Sequence, residues 1–316
     1  MIWSFSTHNL FRRCQRRYFF SAIMASRPGS DPLRQEATFL KRLQSVQLWR
    51  GKLVHEYVDK IRSTLRNGWP LPPLSSMAKE IKDRTTTQFQ FSARKGYRDS
   101  ATTRDSLALI DHEYDRPLAE GVLEDVQKIA ISAIRTFLAR EKLIRRLKEP
   151  STRTEYPVAS SMGEDRLQAR LDLFIPWKRQ LWVVDLKVEE GTSDHRMQLQ
   201  VYAYLLLRQP GYDQLDPNAL NLFDWNLLSG KETKYAFTRD LYEETEDFIF
   251  SSLREMRHAS PDHRYRLHMI EDFSYTQNPR NCEYCPFQRL CTRLSNEKVH
   301  DQRLPDHQPA ATSLLL

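Results

Sequence analysis

Glycine is scarce in this sequence, and long apolar runs are missing. Only 9 of the 316 residues are glycine, which favours a helix-rich protein with few glycine-dependent turns. No apolar run approaches the roughly 18 residues that a membrane-spanning helix needs. Residues 1–20 are basic and aromatic rather than organised as a signal peptide. We therefore expect a cytoplasmic protein without a membrane partner.

Three widespread catalytic motifs are also absent. The sequence contains no GxxxxGK[ST] phosphate loop, which excludes an ATP-driven motor of that type in this chain. Neither His55-Glu56 nor His112-Glu113 is followed by the second histidine of a zinc-protease motif, and no serine lies in a nucleophile elbow. Any chemistry of this chain must therefore rest on other residues.

The charge balance is moderately positive. Lys and Arg number 48 against 41 acidic residues, a net charge of +7, and 40% of the residues are hydrophobic. The length and composition suit one large globular domain or two smaller ones, and the positive excess favours polyanionic partners. Four arginines crowd the first predicted helix and would form either a solvated basic face or a phosphate-facing surface: Arg12, Arg13, Arg16 and Arg17.

Apolar periodicity divides the chain into a helical first half and a mixed second half. The spacing predicts a first helix over residues 4–23, with Ser6 as its N-cap. Further helical stretches are predicted at 35–67, 118–147, 194–208 and 240–258. Strands are predicted at 154–158, 167–175, 181–188, 219–228 and 234–238, with a hairpin connection at 176–180. Residues 56–150 should be mostly helical, and 296–316 should form a disordered tail.

Four cysteines are the only thiols, and three of them lie together. Cys282, Cys285 and Cys291 have the spacing C-x2-C-x5-C, and Cys14 lies near the other end of the chain. Four thiolates suit one tetrahedral zinc ion or one cubane iron–sulfur cluster. Two disulfides are the alternative, which a reducing compartment disfavours. A metal site of this kind would link the first segment of the fold to the last.

Two acidic residues and a lysine interrupt the strands of the predicted hairpin. Alternation places Asp172 with Phe174 on one face of its strand, opposite Leu171, and places Asp185 with Lys187 on one face of the next strand. Pairing of the strands would bring the two carboxylates together, where they repel unless a cation lies between them. Oxygen ligands suit Mg²⁺ or Mn²⁺, and Lys187 would hold an attacking water or developing phosphoryl charge. An ordinary ion pair in a sheet is the alternative.

Three further polar side chains flank this pattern. Gln198 and Tyr202 are four residues apart in a predicted helix and therefore share a face. His55 lies beside the apolar stripe of its predicted helix rather than on it. Each feature alone is typical of an ordinary amphipathic helix.

The order of these pieces resembles the iron–sulfur branch of the PD-(D/E)XK nucleases, which contains AddB-type, RecB-like nuclease domains and CRISPR-associated exonucleases. The motifs run in this order: Cys14, Gly51-x3-His55, Asp172, Asp185-Leu-Lys187, Gln198-x3-Tyr202 and Cys282-x2-Cys285-Pro-x4-Cys291. The resemblance covers residues 1–295, with a helical insertion at 68–150. It implies a single α/β domain with a restriction-endonuclease-like fold, in which helices flank a mixed central sheet.

The resemblance also implies roles for individual residues. A [4Fe-4S] cluster would be held by Cys14 and by the three cysteines of a C-terminal iron–sulfur-binding segment. A Mg²⁺ or Mn²⁺ ion would be held by His55, Asp172, Asp185 and the carbonyl of Leu186. Lys187 would be catalytic, and Gln198 and Tyr202 would support the site or contact DNA.

The expected function is metal-dependent hydrolysis of DNA, at single strands or duplex ends, in the cytoplasm or at the nucleoid. DNA repair is one expected setting. AddB-type proteins carry a helicase part that this chain lacks, so a helicase or another protein is a candidate partner. Two alternatives stay open: an inactive nucleic-acid-binding subunit of a repair, recombination or defence complex, and a zinc-stapled protein without a nuclease role.

Overall fold

The computed structural model describes residues 1–26, 29–99, 106–177, 180–191, 194–259 and 267–301. Within these ranges, the chain forms a mixed β-sheet with helices packed on both faces. The predicted α/β class with a mixed central sheet is therefore confirmed. None of the described helices combines the length and the apolar character that crossing a bilayer requires.

Among the described residues, the sheet has six strands centred on β3. They are β1 (Ile2–Trp3), β2 (Arg153–Met162), β3 (Asp165–Trp177), β4 (Gln180–Lys187), β5 (Leu220–Asn226) and β6 (Glu232–Ala236). Their order is β1-β3-β4-β5-β6, and β2 pairs with the remaining edge of β3. The β1–β3 and β4–β5 pairs are parallel, and the other pairs are antiparallel. The predicted strands are present, and β2 and β3 are longer than expected.

The β3–β4 ladder ends before β3 does. The pairing begins at Trp177 with Gln180 and stops at Leu173 with Val184. Asp172 is therefore the first β3 residue beyond the ladder. Continued in the same register, the ladder would place Asp172 opposite Asp185.

Helices fill most of the rest of the described chain. They are α1 (Phe5–Arg13), α2 (Gln15–Tyr18), α3 (Pro32–Leu40), α4 (Val46–Arg66), α5 (Leu74–Ala93), α6 (Ile110–Glu113), α7 (Val122–Leu138), α8 (Glu141–Leu147), α9 (Arg196–Leu207), α10 (Arg239–Ala259), α11 (Arg280–Glu283) and α12 (Gln288–Asp301). A π-helical turn, Phe19–Ile23, continues α2.

Two hydrophobic cores cover the two faces of the sheet. α9 and α10 pack on one face, in the core that contains Val183 and Leu222. α4, α5 and α7 pack on the other face, in the core that contains Val184 and Trp225. Successive residues of one strand thus belong to different cores.

The first predicted helix is interrupted at Cys14. Ser4, not Ser6, caps α1, in a capping box with Thr7. Cys14 is extended, with φ −165° and ψ 111°, and its Sγ accepts a hydrogen bond from the Arg17 N–H in α2. Apolar periodicity continues across this residue, which is why the sequence predicts a single helix.

Two other predicted helical stretches are also divided. The stretch at 35–67 splits into α3 and α4, because Ser45 caps the start of α4. The stretch at 118–147 splits into α7 and α8, because the backbone of Arg140 leaves helical geometry with ψ 70°. The described residues of 56–150, which leave out 100–105, are mostly helical, as predicted, and α5 and α7 pack on each other and on α4.

Two predicted segments lie partly outside the described residues. α12 continues to Asp301, into the segment expected to be a disordered tail, and 302–316 are not among the described residues. The hairpin connection includes 178–179, which are not described, and Trp177 and Gln180 on either side pair with each other.

Candidate active site

The first acid lies where the β3–β4 ladder ends. Asp172 Oδ2 accepts a hydrogen bond of 2.7 Å from the Leu186 N–H, so a side chain replaces the next backbone acceptor. The apolar face of β3 changes here, since Leu171 packs in the same core as Phe174 while Leu173 packs in the other. Simple alternation predicts opposite faces for Leu171 and Phe174, so that expectation is wrong.

The physical reason lies in Glu155 of β2, which faces Asp172 in the register. The ladder pairs on either side, Thr154–Leu173 and Tyr156–Leu171, are intact. Glu155 itself has φ 48°, in the left-handed region, which costs about 1–2 kcal/mol for a residue other than glycine. This distorted position interrupts the regular alternation of the two strands.

His55 of α4 contacts the carboxylates of Glu155 and Asp172 and the backbone of β4. Its Nδ1 lies 3.1 Å from Glu155 Oε1 and 3.4 Å from Asp172 Oδ1, and its Nε2 lies 3.2 Å from the Leu186 carbonyl oxygen. Burial alone would lower the pKa of His55, but the carboxylates of Asp172 and Glu155 outweigh it and raise the pKa to about 10. Without a metal, a protonated imidazole therefore neutralises part of this acidic set.

The second acid is buried and lies beside Lys187. Asp185 is 1% exposed, and Lys187 Nζ lies 2.7 Å from its Oδ2. Gln198 of α9 joins both residues, since its Oε1 accepts from Lys187 Nζ at 3.2 Å and its Nε2 donates to Asp185 Oδ1 at 3.1 Å. The same Nε2 lies 2.6 Å from the Tyr202 hydroxyl. The structure thus brings the Asp-x-Lys and Gln-x3-Tyr pairs together.

Asp185 and Lys187 both have shifted pKa values. Burial and the charge of Asp172 raise the pKa of Asp185 to about 7, against the opposing effect of Lys187. Burial alone would lower the pKa of Lys187, but Asp185 outweighs it and raises that pKa. Carboxylates whose mutual repulsion shifts a pKa upward form a site that a cation would stabilise.

Three residues besides Glu155 that the sequence did not single out extend the site. His195, before α9, has its Nδ1 2.8 Å from Asp224 Oδ2 on β5 and its Nε2 3.2 Å from Glu189 Oε1. The hydrogen bond to Asp224 is the main cause that raises the pKa of His195. The only sequence signal for these residues was weak. It was a single acid, Asp224, inside the apolar strand β5, in the same alternation as Asp185 in β4.

The donor atoms fit a divalent cation in two adjacent sets. Within the described residues, one set contains His55, Glu155 and Asp172, and the other contains Asp185, His195 and Asp224; in each, one ligand atom per residue lies within 4.8 Å of the others. Asp185 Oδ2 is buried and has no aligned hydrogen-bond donor, although Lys187 lies beside it as an ion pair. The carboxylate oxygens of both sets suit Mg²⁺ or Mn²⁺.

The predicted metal ligands are divided between these two sets. His55 and Asp172 lie in the first set, in contact with Leu186, and Asp185 lies in the second. The charge of Asp172 acts on Asp185, so the two sets are electrostatic neighbours. Glu155 is the carboxylate that the sequence-based ligand set omits.

The cysteine segment, residues 280–294, packs beside the interruption between α1 and α2. Phe287 stacks on Phe20 with 5.5 Å between ring centres, and Asn281 Nδ2 donates to the Arg13 carbonyl oxygen at 3.3 Å. Burial raises the pKa of Cys285 to about 11, and the charges of Cys14 and Cys291 contribute in the same direction. The first cysteine therefore lies near the last three.

The thiols are neither bonded to one another nor gathered tightly. All four cysteines, which lie in described ranges, are free. No three of their sulfur atoms come within 4.8 Å of one another in this part of the chain. The two-disulfide alternative is thus not the arrangement of this structure.

Two of the N-terminal arginines contact the protein itself. Arg16 lies over the ring of Tyr275, 3.8 Å from its centre, and Arg12 Nη1 lies 2.7 Å from Glu255 Oε1 on α10. These contacts disfavour a single phosphate-facing surface made of all four arginines.

The mixed sheet brings a buried Asp-x-Lys pair beside a second carboxylate. The class of protein that has this site follows from the comparison with protein families. The chain belongs to the PD-(D/E)XK nuclease superfamily, whose family model matches residues 2–292. Nucleases of this superfamily use divalent metal ions, and the two acidic sets are the candidate positions for them.

Two solved structures are similar to the chain at low sequence identity. One is a provisionally assigned exonuclease from Eubacterium rectale, with a TM-score of 0.44 and 13% identity over 91% of this chain and 86% of that chain. The other is SSO0001, with a TM-score of 0.29 and 15% identity over 58% of this chain and 92% of that chain. No curated protein matches the sequence.

Proposed function

We propose that residues 1–295 form a metal-dependent deoxyribonuclease that hydrolyses phosphodiester bonds at single strands or duplex ends. The observation that carries the proposal is the buried Asp185–Lys187 pair, held by Gln198 and adjacent to Asp172. A net charge of +7 supports a polyanionic substrate.

The proposed metal ligands are His55, Asp172, Asp185 and the Leu186 carbonyl, with Glu155 as a further carboxylate. When bound there, Mg²⁺ or Mn²⁺ would polarise the scissile phosphate and lower the pKa of a water molecule. The backbone of β4 keeps the Leu186 carbonyl within reach of His55, and Asp172 is fixed through the Leu186 N–H. These contacts preorganise the donors before any ion arrives.

Lys187 supplies a fixed positive charge next to these ligands. Its raised pKa keeps the ammonium protonated at neutral pH, and its hydrogen bond to Gln198 orients it. The ammonium would therefore stabilise the negative charge that grows on the phosphoryl oxygens. Burial raises the pKa of Tyr202, so its hydroxyl stays neutral and holds Gln198 in place.

We also propose that the four cysteines hold a structural [4Fe-4S] cluster. The packing of the cysteine segment beside Cys14, with Phe287 on Phe20, supports a site that uses all four thiols. Iron and zinc analysis of anaerobically prepared protein tests the cluster against zinc. Such a cluster would close the long loop between residues 14 and 282, whose closure entropy is large.

Digestion of end-labelled DNA tests the nuclease proposal. Full-length protein with its iron retained should cleave single strands or duplex ends with Mg²⁺ or Mn²⁺, and not with a chelator. Asp172→Asn should abolish cleavage, while Asp247→Asn, an exposed acid on α10, should retain it. Metal-independent tight binding without cleavage would instead favour an inactive binding subunit.

A further inference from the structure

A large aromatic cavity lies on the face of the sheet away from Asp185. Its volume is about 550 Å³, and it is bounded by β3, β4, β5 and the junction of α7 and α8. This volume is in the range of small-molecule and cofactor sites. None of the proposed metal ligands lines this cavity, and Lys187 does not line it either.

Aromatic rings line the sheet side of this cavity. The ring centres of Trp177 and Trp182 are 5.0 Å apart, and those of Trp182 and Phe223 are 5.3 Å apart. Trp225 completes the lining. Contiguous rings of this kind are the surfaces on which unpaired bases stack in proteins that bind single strands.

Cations line the helix side. Arg140, Lys142 and Arg146 all border the cavity, against two acids, Glu141 and Glu232. Arg146 lies over the Trp177 ring at 3.7 Å, and Arg140 lies 5.3 Å from the centre of the Trp225 ring. The opposite sides therefore offer stacking surface and positive charge, which match a base and its phosphate.

The cavity and the candidate active site are built by the same strands. On β5, Asp224 faces the acid site, whereas Phe223 and Trp225 lie in or beside the opposite core. On β4, Asp185 and Trp182 likewise lie on opposite faces, three residues and therefore about 10 Å apart along the strand. A nucleic-acid strand bound in the cavity would be held close to the acid site and would leave its carboxylates free.

We propose that this cavity is a second binding site for single-stranded nucleic acid, which stacks bases on Trp177 and Trp182 and holds phosphates with Lys142 and Arg146. The proposal rests on the proposed nuclease function for its choice of polymer. It assigns the cavity to substrate retention rather than to cleavage.

The test measures binding of a fluorescein-labelled twelve-residue oligothymidylate to the full chain in EDTA, so that cleavage cannot contribute. Lys142→Glu and Trp177→Ala should each weaken binding about tenfold, as expected for one phosphate contact or one stacked base. Lys148→Glu is the matched control, because Lys148 is exposed at the end of the same helix and does not line the cavity. It should retain wild-type affinity.

Photo-crosslinking locates the bound strand independently. A 5-bromouracil oligonucleotide should crosslink to peptides containing Trp177 or Trp182. Crosslinks elsewhere only, or unchanged affinity in both cavity variants, would overturn the proposal and leave the cavity to a protein partner. If Trp177→Ala does not fold, Lys142→Glu and the crosslinks decide. Binding at the cavity without metal-dependent cleavage would sink the nuclease proposal but not this one.

Discussion

The acid site and the cysteine segment are assembled in opposite ways. Asp172, Asp185 and Lys187 lie on two paired strands, and hydrogen bonds to Leu186 and Gln198 fix their side chains. Cys14 and the last three cysteines come from the two ends of the chain, and aromatic packing such as Phe20 on Phe287 brings them together.

This difference separates two kinds of preorganisation. The acids repel each other, so the sheet must hold them in position. It does so through neighbouring strands and through hydrogen bonds to nearby residues. The thiols impose no such repulsion while protonated, as the raised pKa of Cys285 indicates, and long-range packing rather than a pair of strands places Cys14 beside the other three. We therefore expect the acid site to control activity and the cysteine segment to control stability.

Asp185→Asn should separate activity from stability most clearly. Activity should fall by at least about a thousandfold, because a charged ligand is lost at the reacting phosphate. Stability of the metal-free protein at pH 8 should not fall, because burial and Asp172 already disfavour the Asp185 charge, with its pKa near 7. Cleavage rates and urea unfolding in EDTA measure both effects, and residual wild-type cleavage would contradict the assignment.

Cys285→Ser should show the reverse pattern. Loss of the proposed cluster should lower the melting temperature by roughly 5–10 °C, a destabilisation of a few kcal/mol for a chain of this size. The stabilisation of the protein by added Mn²⁺ should persist, because none of the proposed metal ligands lies in the cysteine segment. Calorimetry with iron analysis measures this. A variant that keeps its iron and its melting temperature would break the comparison.

The pH dependence of the metal-free protein should identify His55 as the neutralising cation of the acid site. Its pKa is raised from 6.5 to about 10 by the carboxylates, so its stabilising effect is complete below pH 6.5 and is lost as the pH rises through 10. His55→Gln should flatten the decline in unfolding free energy across this window. His258→Gln, at an exposed position of α10, should leave the decline unchanged.

Gln198→Ala should have the smallest effect. The side chain orients Lys187 and Asp185 without being a proposed metal ligand, so kcat should fall about tenfold while KM changes little. Steady-state kinetics on a short single strand measure the two constants separately. A loss as large as that of Asp185→Asn would mean that Gln198 acts directly on the substrate.

The sequence predicted the strands of the site well, because their alternation and turns are local signals. It placed Asp185 and Lys187 on one face of β4, and the structure agrees. Lone polar residues were harder. Asp224 and His195 gain their positions only from the pairing of β5 with β4 and from the entry to α9, which no short window contains.

Interruptions of helices and strands were the other features that the sequence did not predict. Apolar periodicity continues past Cys14 and past Arg140, so both breaks were missed, although one positions a thiol and the other borders the aromatic cavity. The left-handed backbone of Glu155 was equally invisible, because nothing in the sequence separates it from other strand residues.

The alternation of β5 constrains how this protein can change over generations. Phe223, Asp224 and Trp225 point in turn to the cavity, the acids and the cavity. Inserting or deleting one residue within β5 would move every later side chain of the strand to the other face. Such a change would put aromatic rings among the carboxylates and a carboxylate among the rings. The two sites can therefore diverge by substitution, but a length change in this strand damages both at once.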